Sequence, residues 1–553
     1  MKKPDFSRYL DYAELTQALE DMVSENAHLA KMSSLGKSYE GKDIWVVEIT
    51  NSDTGPPEDK PAMYIDGNIH AGEVTGSAVC LYTVWYLLSE YGKDPFVTKL
   101  LDKKTFYIIP RISVDGADVF LHTPYTLRSS TRQYPEVDRR EGLVQEDIDG
   151  NGLILQMRIE DPNGEWKVSS KDARLMLRRD PWDEEGPFYS VYTEGILENW
   201  DDSDIKMAPP IWGLDINRNY PANWEPEVKQ RGAGPYPLSE PETRAIAEFV
   251  SSHPNISGAM AYHTTMGAIL RPSCTVPDDK MPPLDVSIYK TIGQKGTELT
   301  GYPHISTYED YTTDKSRALK GVLMDWLYEH MGIITFSTEL WDASVRAGNK
   351  LFGESRMSEE AQLNLLKWND RELAGKGFIP WYEFDHPQLG RVELGGWNSK
   401  FTLTNPPPQF LEGECHKNCL FTLYHAATFP ELCIESVLAE NIGPSLWKLK
   451  ATVRNKGYKP TYTCQKAIEI ARADPVKVVV SGNDMEFITG RQTQEIGHLE
   501  GLASSLGRYS MTNSKDRKRT LEWVIRAKEG TVVEITAKSK RAGTGISRIV
   551  LDH

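Results

Sequence analysis

The stretch from residue 62 to residue 91 reads AMYIDGNIHAGEVTGSAVCLYTVWYLLSEY. Its first six residues, Ala62–Gly67, are mostly apolar and predict a buried strand. In residues 76–91, apolar side chains such as Val84 and Leu87 recur at helical spacing and predict a helix. A strand, a short polar turn and a helix in this order are typical of an α/β fold.

The same alternation continues on both sides of this stretch, as far as residue 430. Short apolar runs at 106–109, 258–262 and 333–336 predict further central strands. Helices are predicted from a capping box at Ser239-Glu-Pro-Glu242, from Ser358 onward, and over residues 410–425. Residues 133–212, rich in Asp, Glu, Gly, Pro and Trp, predict a surface insertion, and residues 376–408 predict a turn-rich connection.

The pattern changes at Glu431. Short alternating segments such as residues 447–453, 477–480 and 531–536 are separated by glycine-containing turns. This arrangement predicts a β-sandwich. We therefore expect two domains: an α/β domain over residues 1–430, with the insertion at 133–212, and an all-β sandwich domain over residues 431–553.

The charge also differs between these two parts. The chain of 553 residues has a net charge of −16, with 39% hydrophobic and 26% charged residues, which excludes wholesale disorder. Residues 431–553 contain 20 Lys and Arg against 14 Asp and Glu, whereas residues 1–430 contain 43 against 65. The acidic surface of the larger part argues against a nucleic acid partner.

The sequence gives limited information on location. No apolar run reaches the roughly 20 residues that span a bilayer, so no transmembrane segment is expected. The first residues, Met-Lys-Lys-Pro-Asp, are not followed by an apolar segment, so as given they do not form a signal peptide. The expected location is cytoplasmic on this sequence, or secreted or periplasmic if a signal peptide was removed. The oligomeric state is left open.

Several side chains able to support metal and acid–base chemistry follow the predicted strands. His70 and Glu73, three residues apart on the turn after the first strand, can converge on one cation, and zinc accepts nitrogen and oxygen ligands. His263 and Glu339 each end an apolar strand, where side chains point into a crevice at the sheet edge. Taken singly, each is more often a solvated, packing or salt-bridged residue. Their combination indicates a candidate site.

A carboxylate-binding pair completes this set. Arg218 and Asn217 lie side by side, and a guanidinium next to an amide is well suited to hold a carboxylate.

The chain resembles the zinc metallocarboxypeptidases of the carboxypeptidase A type, peptidase family M14, over roughly residues 5–375. The motifs that carry this resemblance are His70-x-x-Glu73, Asp215-x-Asn217-Arg218-Asn219, His263, Glu339, Leu35-Gly-Lys-Ser-Tyr-Glu-Gly41 and Asp325-Trp326.

The resemblance implies a mixed eight-stranded sheet flanked by helices and a bound zinc ion. It assigns His70, Glu73 and His263 as the zinc ligands and Glu339 as the general base. Three protein ligands leave one position open for water, whose pKa zinc lowers towards about 7. Glu339 would accept the proton of this water and then protonate the departing amine.

The resemblance also assigns the residues that bind the substrate. Arg128 matches the arginine that polarises the scissile carbonyl, while Asn217 and Arg218 match the pair that binds the substrate's terminal carboxylate. The expected function is therefore hydrolysis of the C-terminal peptide bond of peptides with a free carboxyl terminus. Two alternatives use the same site: hydrolysis of peptidoglycan stem peptides, and deacylation of N-acyl amino acids. An alternative of another class is a binding module with an inactive peptidase fold.

Three positions depart from the family pattern or modify it. The arginine that often precedes the ligand glutamate is replaced by Gly72. No tyrosine lies near Arg317, where the family has a mobile one, and Tyr308 and Tyr311 are the nearest substitutes. Met324 stands where the family tunes its side-chain pocket, which indicates an apolar or aromatic preference.

The insertion contains a possible second metal site. Asp147, Asp149 and Asn151 match the first half of a calcium-binding loop. Such a loop requires a glutamate at its twelfth position, and this chain has Arg158 there. Calcium is therefore a hypothesis to be compared with an ordinary solvated acidic turn.

Overall fold

The computed structural model describes residues 1–136, 140–201, 204–505 and 514–552. The predicted insertion and the C-terminal region thus each include residues outside the described ranges. The strands of the described residues are β1 (Ala30–Lys37), β2 (Asp43–Ile49), β3 (Ala62–Gly67), β4 (Thr105–Ile109), β5 (Gly142–Gln145), β6 (Gln156–Glu160), β7 (Trp166–Val168), β8 (Met176–Arg178), β9 (Phe188–Thr193), β10 (Gly195–Glu198), β11 (Ile256–Thr264), β12 (Ala268–Arg271), β13 (His304–Ser306), β14 (Ile334–Leu340), β15 (Phe378–His386), β16 (Gly390–Trp397), β17 (Leu432–Gly443), β18 (Leu446–Asn455), β19 (Lys477–Gly482), β20 (Glu486–Thr489), β21 (Thr493–Glu495), β22 (Lys518–Arg526), β23 (Val532–Ser539) and β24 (Gly543–Val550).

The α-helices lie mainly in the first 430 residues. They are α1 (Tyr12–Glu25), α2 (Val74–Glu90), α3 (Pro95–Lys103), α4 (Val114–His122), α5 (Pro241–Ser252), α6 (Pro283–Thr300), α7 (Leu323–Glu329), α8 (Ala343–Arg346), α9 (Glu359–Leu373), α10 (Pro408–Ala427) and α11 (Gln465–Glu469). Among the described residues, none of these helices is long and apolar enough to cross a bilayer.

The main sheet is mixed and, within the described residues, has eight strands in the order β1-β2-β4-β3-β11-β14-β12-β13. Its centre is parallel, because β3 pairs in parallel with both β4 and β11, and β11 pairs in parallel with β14. Apolar side chains of α2, α6 and α10 pack on one face, and those of α5 and α7 pack on the other. The predicted eight-stranded α/β architecture is confirmed.

Most of the predicted elements of this part are present, with two corrections. The helix after β3 begins at Val74, two residues before its predicted start. The capping box predicted at Ser239 is wrong: α5 begins after Glu240, and no side chain caps it. Ser358 does cap α9, since its side chain accepts a hydrogen bond from the backbone N–H of Ala361.

The predicted insertion forms part of a second sheet. Within the described residues this sheet has the order β15-β16-β6-β9-β7-β8, and β5 and β10 form a separate antiparallel pair. The prediction of a turn-rich connection over residues 376–408 is therefore wrong, because β15 and β16 occupy much of it. These two strands pair with each other, and β16 pairs with β6 of the insertion.

The residues after Glu431 form two four-stranded sheets in the described part of the chain. Their orders are β17-β18-β22-β20 and β21-β19-β23-β24, and every pairing in them is antiparallel. Apolar side chains from both sheets, such as Trp447, Trp523 and Ile535, share one buried core. This is the expected β-sandwich, whereas Ala467 of the short helix α11 is buried in the core of the main domain.

Candidate active site

The carboxyl ends of β3, β11 and β14 lie at the same edge of the main sheet, since these strands are adjacent and parallel. The turn after β3 carries His70 and Glu73. His263 lies near the end of β11, and the strand register pairs it directly with Glu339 of β14. The topology therefore brings four predicted site residues together from three distant segments.

The Glu73 carboxylate lies between the two histidines. One of its oxygens is 2.8 Å from Nδ1 of His70, and the other is 3.2 Å from Nδ1 of His263. The two Nδ1 atoms are 3.2 Å apart, and all three side chains are buried. Two imidazole nitrogens and a carboxylate that converge in this way form a donor set that fits a zinc ion.

Asp215 orients this donor set from behind. Its Oδ1 lies 3.2 Å from Nε2 of His70, which favours the tautomer that leaves Nδ1 of His70 free to bind a metal. Its Oδ2 accepts a hydrogen bond of 3.1 Å from Nε of Arg128. Burial raises the pKa of Asp215, but the opposing effect of Arg218, Arg128 and His70 is larger. The pKa of Asp215 therefore lies well below its ordinary value. The carboxylate is therefore ionised.

Arg128 also contacts the ligand glutamate. Its Nη1 is 3.1 Å from an oxygen of Glu73, while its side chain stays 45% exposed at the rim of the site. Burial raises the pKa of Glu73, but the charge of His70, hydrogen bonds with His263 and His70, and the charge of Arg128 bring it below its usual value. The carboxylate of Glu73 is thus held in the form that binds metals.

Glu339 has the opposite electrostatic balance. Burial is the main reason that the pKa of Glu339 lies above its ordinary value. The nearby charge of Glu73 raises this pKa further, while His263 and His70 oppose the shift. A carboxylate whose pKa is moved towards neutrality is suited to accept and return a proton.

Asn217 and Arg218 lie on the short helical turn Ile216–Arg218, which begins after Asp215. The Asn217 side-chain oxygen accepts a hydrogen bond of 2.9 Å from the backbone N–H of Leu323. Nη1 of Arg218 donates to the carbonyl of Asn217 over 2.8 Å, and Nη2 lies 3.7 Å from the Asp215 carboxylate. Asp215 therefore joins Asn217 and Arg218 to His70 and Arg128.

Tyr311 lies close enough to the site to be influenced by its charges. The pKa of Tyr311 is raised by burial and by the charge of Glu339, with further influence from Arg218, Arg128 and Glu73. Its side chain remains 37% exposed. The ring of Tyr308, in contrast, faces the ammonium group of Lys315, 4.7 Å from the ring centre. The only sequence signal for Tyr311 is its position six residues before Arg317.

The surroundings of Gly72 and Met324 are defined by apolar side chains. A Cβ atom on Gly72 would lie 3.1 Å from the ring of Phe120, so this position has little room for an arginine. Met324 is buried in a small apolar cluster. The other buried members of this cluster are Ala268, Leu270, Cys274, Ile305 and Val322.

The acidic loop of the insertion gives the calcium hypothesis no support. Asp147 and Asp149 come within ligand distance of one another and of Glu194. However, the Asp147 carboxylate accepts backbone hydrogen bonds from Asn151 and Gly152, and Glu194 accepts two more. Arg158, at the twelfth position, pairs with Glu393. These carboxylates are satisfied by N–H donors, as in an ordinary acidic turn.

Comparison with known proteins identifies the class to which this fold and site belong. A model of the zinc carboxypeptidase family matches residues 15–353, more than half of the chain, and the chain belongs to this family. Residues 431–549 match a second family model, which is described as a domain of unknown function.

Individual relatives are distant. Carboxypeptidase A2 of Rattus norvegicus is 24% identical over 351 residues, which cover 62% of this chain and 64% of the relative. Mast cell carboxypeptidase A of Rattus norvegicus is 24% identical over 372 residues, 65% of this chain and 70% of the relative. The chain thus matches slightly less than two thirds of the first of these proteins. The crystal structure of thrombin activatable fibrinolysis inhibitor aligns with a TM-score of 0.43 and 18% identity over 76% of this chain and 74% of that one.

Proposed function

We propose that this protein is a zinc-dependent carboxypeptidase that removes the C-terminal residue of peptides. The observation that carries the proposal is the convergence of His70, Glu73 and His263 beside Glu339, at the carboxyl ends of three adjacent parallel strands. A ligand set and a base in this relation are suited to hydrolysis of an acyl–nitrogen bond. Membership of the zinc carboxypeptidase family supports the same conclusion.

His70, Glu73 and His263 would hold the zinc ion. When bound, zinc would supply Lewis acidity, which activates water and polarises a carbonyl. Asp215 keeps His70 in the tautomer that presents Nδ1, and Arg128 helps to keep Glu73 ionised. These hydrogen bonds hold the donor atoms in an arrangement suited to a metal ion.

Glu339 is the proposed general base. Its ionised carboxylate would take a proton from the attacking water and then deliver that proton to the amine nitrogen as the C–N bond breaks. Arg128 would donate hydrogen bonds to the oxygen of the scissile carbonyl, where negative charge develops. Its exposed position at the rim leaves its guanidinium accessible to a substrate.

Arg218 and Asn217 are proposed to bind the terminal carboxylate of the substrate. A carboxylate that enters an enclosed site loses its hydration, and a charge-assisted pair with a guanidinium offsets that loss. Because Gly72 replaces the arginine that often helps in this task, Arg218 would carry most of the recognition. Tyr311, close to the charges of Glu339 and Arg218, is proposed to cover the bound substrate.

We also propose that residues 1–430 form the catalytic domain, with the insertion at 133–212, and that residues 431–553 form an accessory domain. The separate core shared by the two C-terminal sheets supports this division. The substrate side-chain preference is proposed to be apolar or aromatic, on the basis of the apolar cluster around Met324.

Substitution of the base tests the proposal. Glu339→Gln keeps the shape of the side chain but removes its basicity, so kcat on a peptide with a free carboxyl terminus should fall by about a hundredfold or more. Zinc content, measured by elemental analysis, should stay near one ion per chain. Glu248→Gln, on the exposed face of α5, is the control for loss of one negative charge and should leave kcat unchanged. If Glu339→Gln retains activity within a few-fold, or if the wild type binds zinc but cleaves nothing, the proposed function is wrong.

A further inference from the structure

Residues 398–405 connect β16 to α10 and lie beyond residues 15–353, which match the family. They contain the helical turn Ser399–Thr404 and are packed against the main domain. Lys400, Thr402 and Asn405 are buried, and Asn405 has no exposed surface at all. This connection is therefore part of the protein interior, and its contacts lead directly to the candidate site.

Asn405 makes four hydrogen bonds with its side-chain amide. Its oxygen accepts from the backbone N–H of Thr75 over 3.1 Å and from the Thr75 hydroxyl over 2.8 Å. Its nitrogen donates to the carbonyl of Gly72 over 2.8 Å and to the carbonyl of Lys400 over 3.0 Å. An asparagine amide has two donors and two acceptor positions, so all of its hydrogen-bonding capacity is used.

Two of these partners lie on either side of Glu73. Gly72 directly precedes it, and Thr75 lies two residues after it, in the first turn of α2. Glu73 occupies the N-cap position of α2, where a side chain normally accepts a hydrogen bond from the second or third N–H of the helix. The Glu73 side chain makes no such bond and is turned towards His70 and His263 instead.

Asn405 supplies the missing cap from a distant part of the chain. The N–H of Thr75 belongs to the second residue of α2, and it is satisfied by the Asn405 oxygen. If this acceptor were absent, the Glu73 carboxylate would be the nearest group able to cap the helix, and it would have to leave the ligand cluster to do so. Capping from Asn405 therefore removes a competing role for Glu73.

The same connection is anchored near Glu339 and His263. The indole N–H of Trp341, two residues after Glu339, donates to the carbonyl of Thr402 over 2.8 Å. The carbonyl of Trp341 in turn accepts from the hydroxyl of Thr265, two residues after His263, over 2.7 Å. Residues 398–405 are thus bonded directly to two of the three segments that carry the candidate site, and through Trp341 to the third, which fixes the position of Asn405.

We propose that Asn405 is a positioning residue for the metal site: it caps α2 in place of Glu73, and it thereby keeps the Glu73 carboxylate available as a metal ligand. This inference rests on the proposed function, because it assumes that Glu73 binds zinc. It assigns a role to a residue outside the part of the chain that matches the family.

Zinc affinity of the full chain, measured by competition with a chromogenic chelator, tests this role. Asn405→Ala should weaken zinc binding by about 10–100-fold, the usual effect of removing a group that orients a metal ligand. Asn455→Ala is the matched control, because Asn455 is also fully buried and makes four hydrogen bonds, but within the C-terminal sheets and their loops. Both variants should lower the denaturation midpoint of the metal-free protein, but only Asn405→Ala should weaken zinc binding.

Wild-type zinc affinity in Asn405→Ala, or an equal loss in Asn455→Ala, would overturn the proposal. If Asn405→Ala does not fold, Asn405→Leu carries the test, because it removes the oxygen that caps the N–H of Thr75 while filling nearly the same volume. A loss of zinc affinity of about tenfold or more in Asn405→Leu would support the proposal, and unchanged affinity would overturn it. A wild-type chain that binds no zinc would contradict the proposed function itself. If the wild type binds zinc, but no more tightly than Asn405→Ala, only the role of Asn405 is contradicted.

Discussion

At the scale of single residues, Asp215 connects more of the site than any other side chain described above. Its carboxylate contacts His70 and Arg128 within 3.2 Å and accepts a hydrogen bond from the backbone N–H of Asn217 over 3.0 Å. The neighbouring guanidinium groups keep it ionised although it is buried. One carboxylate therefore holds a proposed zinc ligand, the proposed oxyanion donor and the substrate-binding turn in a fixed relation.

Glu242 provides a prediction at the same scale. Burial raises the pKa of Glu242 to about 7, and one of its oxygens has no hydrogen-bond partner among the described residues. Between about pH 4.5 and 7 the folded protein thus binds one more proton here than the unfolded chain, so its stability falls as the pH rises. Glu242→Gln lacks this titration and still accepts from the N–H of Tyr39. In chemical denaturation it should match the wild type near pH 4.5 and exceed it by about 2–3 kcal/mol at pH 8.

Glu248→Gln, on the exposed face of the same helix, is the control and should show no such difference. If the stability of Glu242→Gln follows that of the wild type at every pH, folding does not raise the pKa of Glu242, contrary to this account.

Most of the site residues could be predicted from the sequence because they lie in short motifs in a fixed order. Arg218 follows Asn217, and Glu73 lies three residues after His70, and the resemblance to the family assigns roles to these motifs taken together. The structural role of Asn405 could not be predicted, because its partner Thr75 lies 330 positions away. The sequence does not single out Tyr311, because its position differs from the one that the family pattern indicates for a tyrosine.

At the scale of the elements, a glycine in α4, Gly116, allows two loops of the site to approach this helix closely. A Cβ atom on Gly116 of α4 would lie 2.1 Å from the carbonyl oxygen of Ser129 and 2.7 Å from Cβ of Ala71. Ser129 directly follows Arg128, and Ala71 directly follows His70. The contact between α4 and these two loops therefore depends on the absence of a side chain at position 116.

Gly116→Ala should consequently disturb the site from a distance. Backbone atoms would have to move, so we expect a loss of about 2–4 kcal/mol in the free energy of unfolding and a fall in kcat/KM. Gly413→Ala is the matched control, because Gly413 lies in α10 and a Cβ there would meet nothing within 4 Å. That variant should be neutral or up to about 1 kcal/mol more stable. Equal stability of the two variants in denaturant titrations would contradict the packing argument.

The wrong prediction of a turn-rich connection over residues 376–408 has an identifiable cause. β15 contains Pro380 and follows Gly375 and Gly377, which are signals of a turn rather than of a strand. Proline is tolerated there because β15 is at the edge of its sheet. Its neighbour β16 is paired on its other side by β6, more than 200 residues earlier. Only these long-range partners decide that residues 378–397 are extended.

At the scale of the whole molecule, the C-terminal sheets attach to the main domain at the end opposite the site. Nη1 and Nη2 of Arg541 donate to the carbonyls of Gly332 and Met331, each over 2.6 Å, just before β14 begins. Nζ of Lys459 donates to the carbonyl of Ser257, near the start of β11, over 2.8 Å. Both side chains are buried, so these contacts satisfy backbone carbonyls inside the protein.

The attachment should therefore contribute to the stability of the main domain. Arg541→Met keeps much of the apolar stem but removes the charged donor from two buried carbonyls, and among the described residues only the Gly332 carbonyl keeps weaker contacts, with Cys464 and Thr463. We therefore expect a loss of about 2–4 kcal/mol in the free energy of unfolding. Lys540→Ala is the control, because Lys540 is 54% exposed and its ion pair with Asp474 lies at the surface. Calorimetry should show the loss for Arg541→Met alone. If the two variants unfold alike, the C-terminal sheets do not support the main domain through these contacts.

We propose that the whole molecule acts as an exopeptidase that recognises a free carboxyl terminus. Mass spectrometry of the products from two peptides of identical sequence, one a free acid and the other a C-terminal amide, tests it most directly. We expect the zinc-loaded protein to release one C-terminal residue from the acid, and to process the amide with a kcat/KM lower by roughly 30-fold to 1000-fold, since the amide cannot pair with Arg218 through a charge. Internal fragments, release of an N-terminal acyl group, or equal cleavage of the acid and the amide would contradict the claim.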